Sequence, residues 1–293
     1  MAAPDLSGKG AALAGARDPD PRALPAPGSG RDPWRTLGAY TPARIALGRA
    51  GGSLRTESLL EFRLAHAGAR DAVRAPFEIE ALEAALREKG LATERLETAA
   101  SDRRTYLARP DLGRRLRPES AERLRAAAPS WGRRDLAVLV SDGLAAAAAG
   151  HHAAETVAEL SDILSGLGWA LYPIFVVPFA RVKLQDEVGG LLHARLSMIL
   201  LGERPGLSSH DSLGAYLTFG PRADRTDAER NCVSNIRGDG LPPAEAARKL
   251  ARILVESRRL GLSGTGLREP SNAQIARQAR PAGRGEPIDD SRT

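Results

Sequence analysis

The residues best placed for chemistry fall in two short segments, each behind an apolar run of strand length. Ser141-Asp142-Gly143 follows the run Leu136–Val140, and Gly202-Glu203-Arg204-Pro205-Gly206-Leu207-Ser208-Ser209 follows the run Leu196–Leu201. In the first, Asp142 can cap a helix and Gly143 relaxes the backbone, so a strand-to-helix turn is the foremost reading. In the second, two glycines and a proline fix a tight loop that a ligand can approach closely. Glu203 offers acceptors to amide or hydroxyl donors and Arg204 a donor fork, with an exposed turn as the competing reading. Cys232 has Arg230 nearby, which could lower its pKa. A nucleophilic thiol also needs a base, so a small packing or contact residue is the preferred assignment. His151 and His152 are adjacent and diverge on a helix, which fits a solvated pair better than a metal site. Lone His66, His193 and His210 read as surface or core residues.

Several cofactor fingerprints are missing. Gly-x-Gly occurs at 8/10, 28/30, 166/168, 238/240, 264/266 and 283/285, but the third glycine is replaced by Leu13, Pro33, Leu171, Pro243, Glu269 and Ile288. No dinucleotide fingerprint results, and no phosphate-binding Gly-x-x-x-x-Gly-Lys-[Ser/Thr] is present.

These segments need elements to hold them. Between about 41 and 130 the pattern is helical. Thr56 is a candidate N-cap before Leu59, Leu60, Phe62 and Leu64; a second helix is expected over 78–89, stopped by Gly90; a third opens at Pro118 and ends near Pro129. From Asp135 the period changes. Strand-like runs at 136–140, 171–177 and 196–201 alternate with helical stretches at 153–167 and 182–192. That alternation implies right-handed crossovers and a mainly parallel sheet. A last amphipathic helix is expected over 243–258, with Ala247, Leu250, Ile253 and Leu254 facing inward. The expected class is α/β: residues 1–40 a Pro/Gly/Ala-rich tail, 41–130 a mostly helical part, 131–262 a Rossmann-like domain and 263–293 a second tail.

Composition narrows the function classes. At 293 residues, 42% hydrophobic and 27% charged, the chain has the make-up of a folded protein. Aromatics at 4% leave a core built of Ala, Leu and Val. The single cysteine excludes an intramolecular disulfide and a multi-cysteine metal cluster. The net charge of +6 invites a nucleic-acid reading, yet lysine occurs only at 9, 89, 183 and 249, and the arginines are spread through every segment. No secretory signal or run of about 20 apolar residues is evident, so a soluble cytoplasmic protein is expected.

Several longer strings resemble the small (light) subunit of adenosylcobalamin-dependent ethanolamine ammonia-lyase. They are Thr41-Pro42-Ala43-Arg44-Ile45 with Gly48-Arg49-Ala50-Gly51, Arg109-Pro110-Asp111-Leu112-Gly113-Arg114-Arg115-Leu116, Ser141-Asp142-Gly143-Leu144, Ala180-Arg181-Val182-Lys183, Gly202-Glu203-Arg204-Pro205-Gly206-Leu207 and Asn231-Cys232-Val233-Ser234-Asn235-Ile236. Their order and spacing agree over about 41–260. The resemblance implies conversion of ethanolamine to acetaldehyde and ammonia by cofactor-borne radical chemistry. It also implies a catalytic large subunit, a TIM barrel, with cobalamin between the subunits and no catalytic or metal-ligating residue in this chain. Family cobalamin contacts map onto Val182, Glu203 and Cys232, and the family assembles as a hexamer of heterodimers. None of the five histidines sits in Asp-x-His-x-x-Gly, so the implied mode is base-on, with the cofactor's own base on cobalt. Some members carry an amphipathic leader that directs them into a bacterial microcompartment; residues 1–30 show no such face. The alternative from another class is an arginine-rich nucleic-acid-binding protein.

Overall fold

The computed structural model describes residues 33–41 and 43–267, so residues 1–30 and most of the expected tails lie outside it. The described part divides into a unit ending at Arg63 and a unit beginning at Leu64. In the first, Pro33–Ala39 form a 3₁₀ helix where only a tail is expected from sequence. Ala50 and Ser53 close a tight antiparallel bridge. Helix α1 (Thr56–Arg74) starts at the expected Thr56. Its apolar residues behave differently from expectation: Leu59, Leu60, Phe62 and Leu64 are exposed, and Ala72 is the one buried residue of the helix.

The second unit contains α2 (Ile79–Glu88), β1 (Thr93–Arg95), α3 (Arg103–Ala108), α4 (Pro118–Trp131) and β2 (Leu136–Ser141). It continues with α5 (Ala146–Gly166), β3 (Ile174–Val176), α6 (Leu184–Leu191) and β4 (Leu196–Gly202). Two strands with no counterpart in the sequence reading follow, β5 (Leu213–Phe219) and β6 (Arg230–Ile236), and then α7 (Pro243–Leu260). The strand order is β1-β3-β2-β4-β5-β6. The first four strands are parallel, whereas β5 pairs antiparallel with β4 and with β6. The sheet is therefore mixed, with parallel pairing over its first four strands only. β1 and α2, which precede residue 131, belong to the sheet and its core.

Period-two alternation explains the layers. Leu136, Val138 and Val140, with Met198, Leu200, Ala215 and Leu217, face α2, α5 and α7. Ala137, Leu139, Phe175, Val177 and Ile199 face α4 and α6 on the other side. The chain passes from β2 to β3 on one side and then returns to β4 on the other. The carboxyl ends of β2 and β4 thus flank the point where the winding reverses, the usual ligand crevice of such sheets. There the backbones nearly touch: a Cβ on Gly143, at φ +54°, would lie 2.2 Å from the Gly202 carbonyl oxygen, and one on Gly202 would lie 2.0 Å from that of Ala145. Only glycine fits at either position. At the far end the fold continues to Leu267, past the expected start of the tail. The Ser263 hydroxyl accepts from the Phe219 N–H, and Asn231 hydrogen-bonds Gly264 in both directions.

Two short caps make acid stability a measurable property of this fold. Hydrogen bonds from the Thr105 backbone, the Thr105 hydroxyl and Ser101 hold Asp102, the N-cap of α3, at about 2. Thr226 and Arg225 hold Glu229 at about 2 as well. Both folded values lie below the ordinary carboxylate range near 4. Their contribution is thus complete above about pH 4–5 and is lost as pH falls towards 2. Urea unfolding across that window should show declining stability, with a shallower decline in Asp102→Ala and Glu229→Ala.

Candidate functional site

Leu213, Ala215, Leu217, Val233 and Ile236 turn one face of β5–β6 into the core shared with α5 and α7, whereas the other face is covered only in part. On that second face stand Gly214, Tyr216 and Thr218 of β5, with Arg230 and Cys232 of β6 alongside them. Tyr216 pairs with Cys232, and Thr218 with Arg230. The Thr218 end is closed by α6. Arg230 makes a bidentate pair with Asp186 in the first turn of α6, at 2.7 and 2.8 Å, and both side chains are at most 4% exposed. Arg230 also reaches Thr218 Oγ1 at 3.2 Å and Asp227 at 3.0 Å. With its guanidinium engaged there, Arg230 is not available to activate Cys232. The Cys232 residue lies at the surface, but desolvation of its thiol pushes the pKa up, with Glu203's charge adding to the rise. A hydrogen bond donated by the Tyr216 hydroxyl opposes it. An unactivated thiol suits contact better than nucleophilic attack.

The surface at Tyr216 stays open, while Gly214 beyond it is covered by Glu203, and the segments singled out in the sequence bound that surface. Two clefts meet there. One, of about 690 Å³, is lined by Pro110, Arg114, Arg181, Val182, Tyr216 and Cys232 among others. The other, of about 440 Å³, is lined by Tyr106, Leu144, Arg181, Val182, Glu203 and Tyr216 among others. Val182 and Tyr216 line both, so Val182, Glu203 and Cys232 surround one surface centred on Tyr216. No periodicity signal had marked Tyr216; the alternation Leu213-x-Ala215-x-Leu217 was the available clue to its strand. A groove of about 690 Å³ between the end of α5 and α7 lies on the opposite face of the sheet.

Glu203 is placed by the bulge in β6. Two residues, Ser234 and Asn235, bulge opposite Gly214, and Asn235 adopts φ 60°. Its N–H then donates to Glu203 Oε2 at 3.2 Å, and the Ser212 hydroxyl donates to the same oxygen at 2.5 Å. The other oxygen, Oε1, takes no hydrogen bond from the described residues and lies against the bare backbone of Gly214. Arg181 contributes the opposite polarity. Its guanidinium stacks on the Tyr106 ring at 4.1 Å, and its Nε is buried without a hydrogen-bond partner among the described residues. Arg204, the donor expected beside Glu203, is exposed on the rim of the smaller cleft.

Asp142 does not cap α5, as the sequence had suggested. Its carboxylate accepts from the Phe179 N–H at 2.7 Å, from Ser141 Oγ at 3.0 Å and from Arg103 Nη1 at 2.7 Å. Arg103 extends the clasp to the carbonyls of Val73, Gly143 and Leu144. Burial pushes the Asp142 carboxyl up, while the Phe179 N–H and the Arg103 charge pull it back. The clasp fixes the 179–183 turn that carries Arg181 and Val182. The structure also brings Asp211 to the histidine pair, with His152 Nε2 3.4 Å from its Oδ2. The three candidate ligand atoms lie within 4.8 Å of one another and His151 is exposed, looser than the roughly 3.4 Å edge of a tetrahedral site with ordinary zinc–nitrogen bonds.

A family model described as ethanolamine ammonia-lyase light chain matches residues 31–268. The chain is 54% identical over 247 residues to the ethanolamine ammonia-lyase small subunit of Azotobacter vinelandii, an alignment covering 84% of this chain and 91% of that one. Identity to the corresponding small subunit of Xanthomonas campestris pv. campestris is 52% over 246 residues, covering 84% and 90%. For Pseudomonas aeruginosa it is 48% over 247 residues, again covering 84% and 90%.

Proposed function

Because the chain belongs to the ethanolamine ammonia-lyase light-chain family, we propose that its open β5–β6 face, between Val182, Glu203 and Cys232, carries cobalamin against the large subunit. The chain is the small subunit of the adenosylcobalamin-dependent lyase that deaminates ethanolamine, and it serves as the non-catalytic, cofactor-binding component. The observation that supports the assignment is the convergence of segments up to 50 residues apart on one surface that helices leave open.

The residues present fit the group. Cobalamin has a broad apolar face rimmed with amide side chains. Glu203 Oε1 can accept from an amide N–H, and the buried, unpartnered Arg181 Nε can donate to an amide carbonyl or phosphate oxygen. Val182, Tyr216 and Cys232 supply small or flat contact surface between them. Bound there, adenosylcobalamin supplies the radical chemistry. The chain's own residues bind and orient it, and the covered face keeps water out. Base-on binding and a hexamer of heterodimers complete the reading, as does a Rossmann-like ancestry for the β3-β2-β4 core with its reversal of winding. The nucleic-acid alternative loses its motivation, since some arginines are engaged with buried carboxylates of the fold: Arg103 on Asp142 and Arg230 on Asp186.

The direct test is expression of the large subunit with and without this chain. Adenosylcobalamin-dependent release of acetaldehyde should appear only with both. Equal activity from the large subunit alone overturns the reading.

A further inference from the structure

Most of the exposed large apolar side chains of the described residues lie between 34 and 64, among them Leu37, Tyr40, Ile45, Leu54, Leu60 and Leu64. Leu64 is 77% and Tyr40 87% exposed. Helix α1 runs for 19 residues and buries one. A lone helix of that length is marginal in water, because helices in proteins draw most of their stability from packing an apolar face. Leu60 and Leu64, one turn apart, present such a face, 58% and 77% exposed among the described residues. A concentration of exposed apolar side chains in one short segment marks an interaction site. The charge around it has one predominant sign: Arg35, Arg44, Arg49, Arg55 and Arg63 stand against Glu57 and Glu61. A second copy of the chain would set arginine against arginine, whereas an apolar surface rimmed with carboxylates is complementary.

We infer that the 37–64 segment, with Leu60 and Leu64 of α1 at its centre, is a principal docking surface for the large subunit, and that the matching surface there is apolar with an acidic rim. The inference rests on the pairing described under the proposed function and adds where the pairing occurs. It uses none of the residues assigned to the cofactor-binding face, so each can be altered alone.

The test uses the full chain and the large subunit, with affinity measured by biolayer interferometry. The variants are Leu60→Asp/Leu64→Asp and, as a control, Leu167→Asp/Val255→Asp, whose exposed side chains flank the groove beside α7. Circular dichroism and melting of the isolated chain should match wild type for the α1 variant, since neither side chain is buried. Its affinity for the large subunit should fall at least tenfold while the control stays within threefold of wild type. Wild-type affinity in the α1 variant, or a loss in the control as large as in α1, overturns the inference. So does a wild-type dimer of this chain, or co-sedimentation with phosphatidylglycerol vesicles, that the α1 substitutions abolish while subunit pairing persists. Failure of the wild-type subunits to bind at all would overturn the underlying family pairing instead.

Discussion

Replacing Asp142 with alanine is expected to lower the stability of this subunit by about 3–5 kcal/mol, the usual range for removing one partner of a buried ion pair. The Phe179 N–H and the Ser141 hydroxyl lose their acceptor, and Arg103 Nη1 keeps only the Gly143 carbonyl. Asparagine is no remedy. If its oxygen keeps the Phe179 bond, its NH₂ group faces the guanidinium, donor against donor. Urea unfolding of the isolated chain measures the loss for both variants, and a cost below about 1 kcal/mol would show that the clasp is peripheral. Arg103→Met probes the same pair from the other side and carries a pH signature. With the guanidinium gone, burial raises the Asp142 carboxyl further. A carboxyl whose folded value is raised contributes its stability at low pH and loses it as pH rises through that value. Arg103→Met should therefore lose stability with rising pH more steeply than wild type.

Glu203→Ala is expected to weaken cobalamin binding by the assembled enzyme roughly 10- to 100-fold, the range for losing a hydrogen bond to a charged group. Two effects add. The acceptor for a corrin amide disappears, and the Ser212 hydroxyl and Asn235 N–H lose the carboxylate that orders the bulge. Glu203→Gln keeps the size and one acceptor, so it should fall between alanine and wild type. Cys232→Ala removes only a small contact at the edge of the surface and should cost severalfold at most. Titration of each mixed complex with cobalamin, followed by corrin absorption, ranks the three. An order with Cys232 above Glu203 would mean that packing rather than the carboxylate governs affinity.

The parallel core was legible because its signals are local. Leu136–Val140 and Leu196–Leu201 are short apolar runs, and α7 shows helical spacing over 18 residues. The antiparallel pair was missed because Gly214 and Thr218 dilute β5, and β6 carries arginine, asparagine and serine. Arg230 meets Asp186 of α6 and Thr218, Asn231 holds Gly264 and Asn235 forms the bulge, so polar contacts within the fold masked the strand pattern. In α1, Leu59, Leu60, Phe62 and Leu64 looked like a core stripe, and periodicity cannot tell a face turned to a core from one turned to another chain. Spacing likewise could not reveal that Asp142 meets Arg103, 39 residues away. Glu203 stood out as an acceptor in a tight loop and Cys232 as a small contact residue, whereas Val182 and the identity of the cofactor came from family resemblance. The fold supplies the physical reason for their grouping, which is the open end of the β5–β6 face around Tyr216.

The most direct test of that grouping uses the chain's only cysteine. In the assembled enzyme, the rate at which iodoacetamide alkylates Cys232 can be followed by mass spectrometry of this subunit, with and without saturating cobalamin. If the cofactor lies on the β5–β6 face, its binding should slow alkylation at least tenfold. Equal rates in the empty and the fully loaded enzyme would place cobalamin elsewhere.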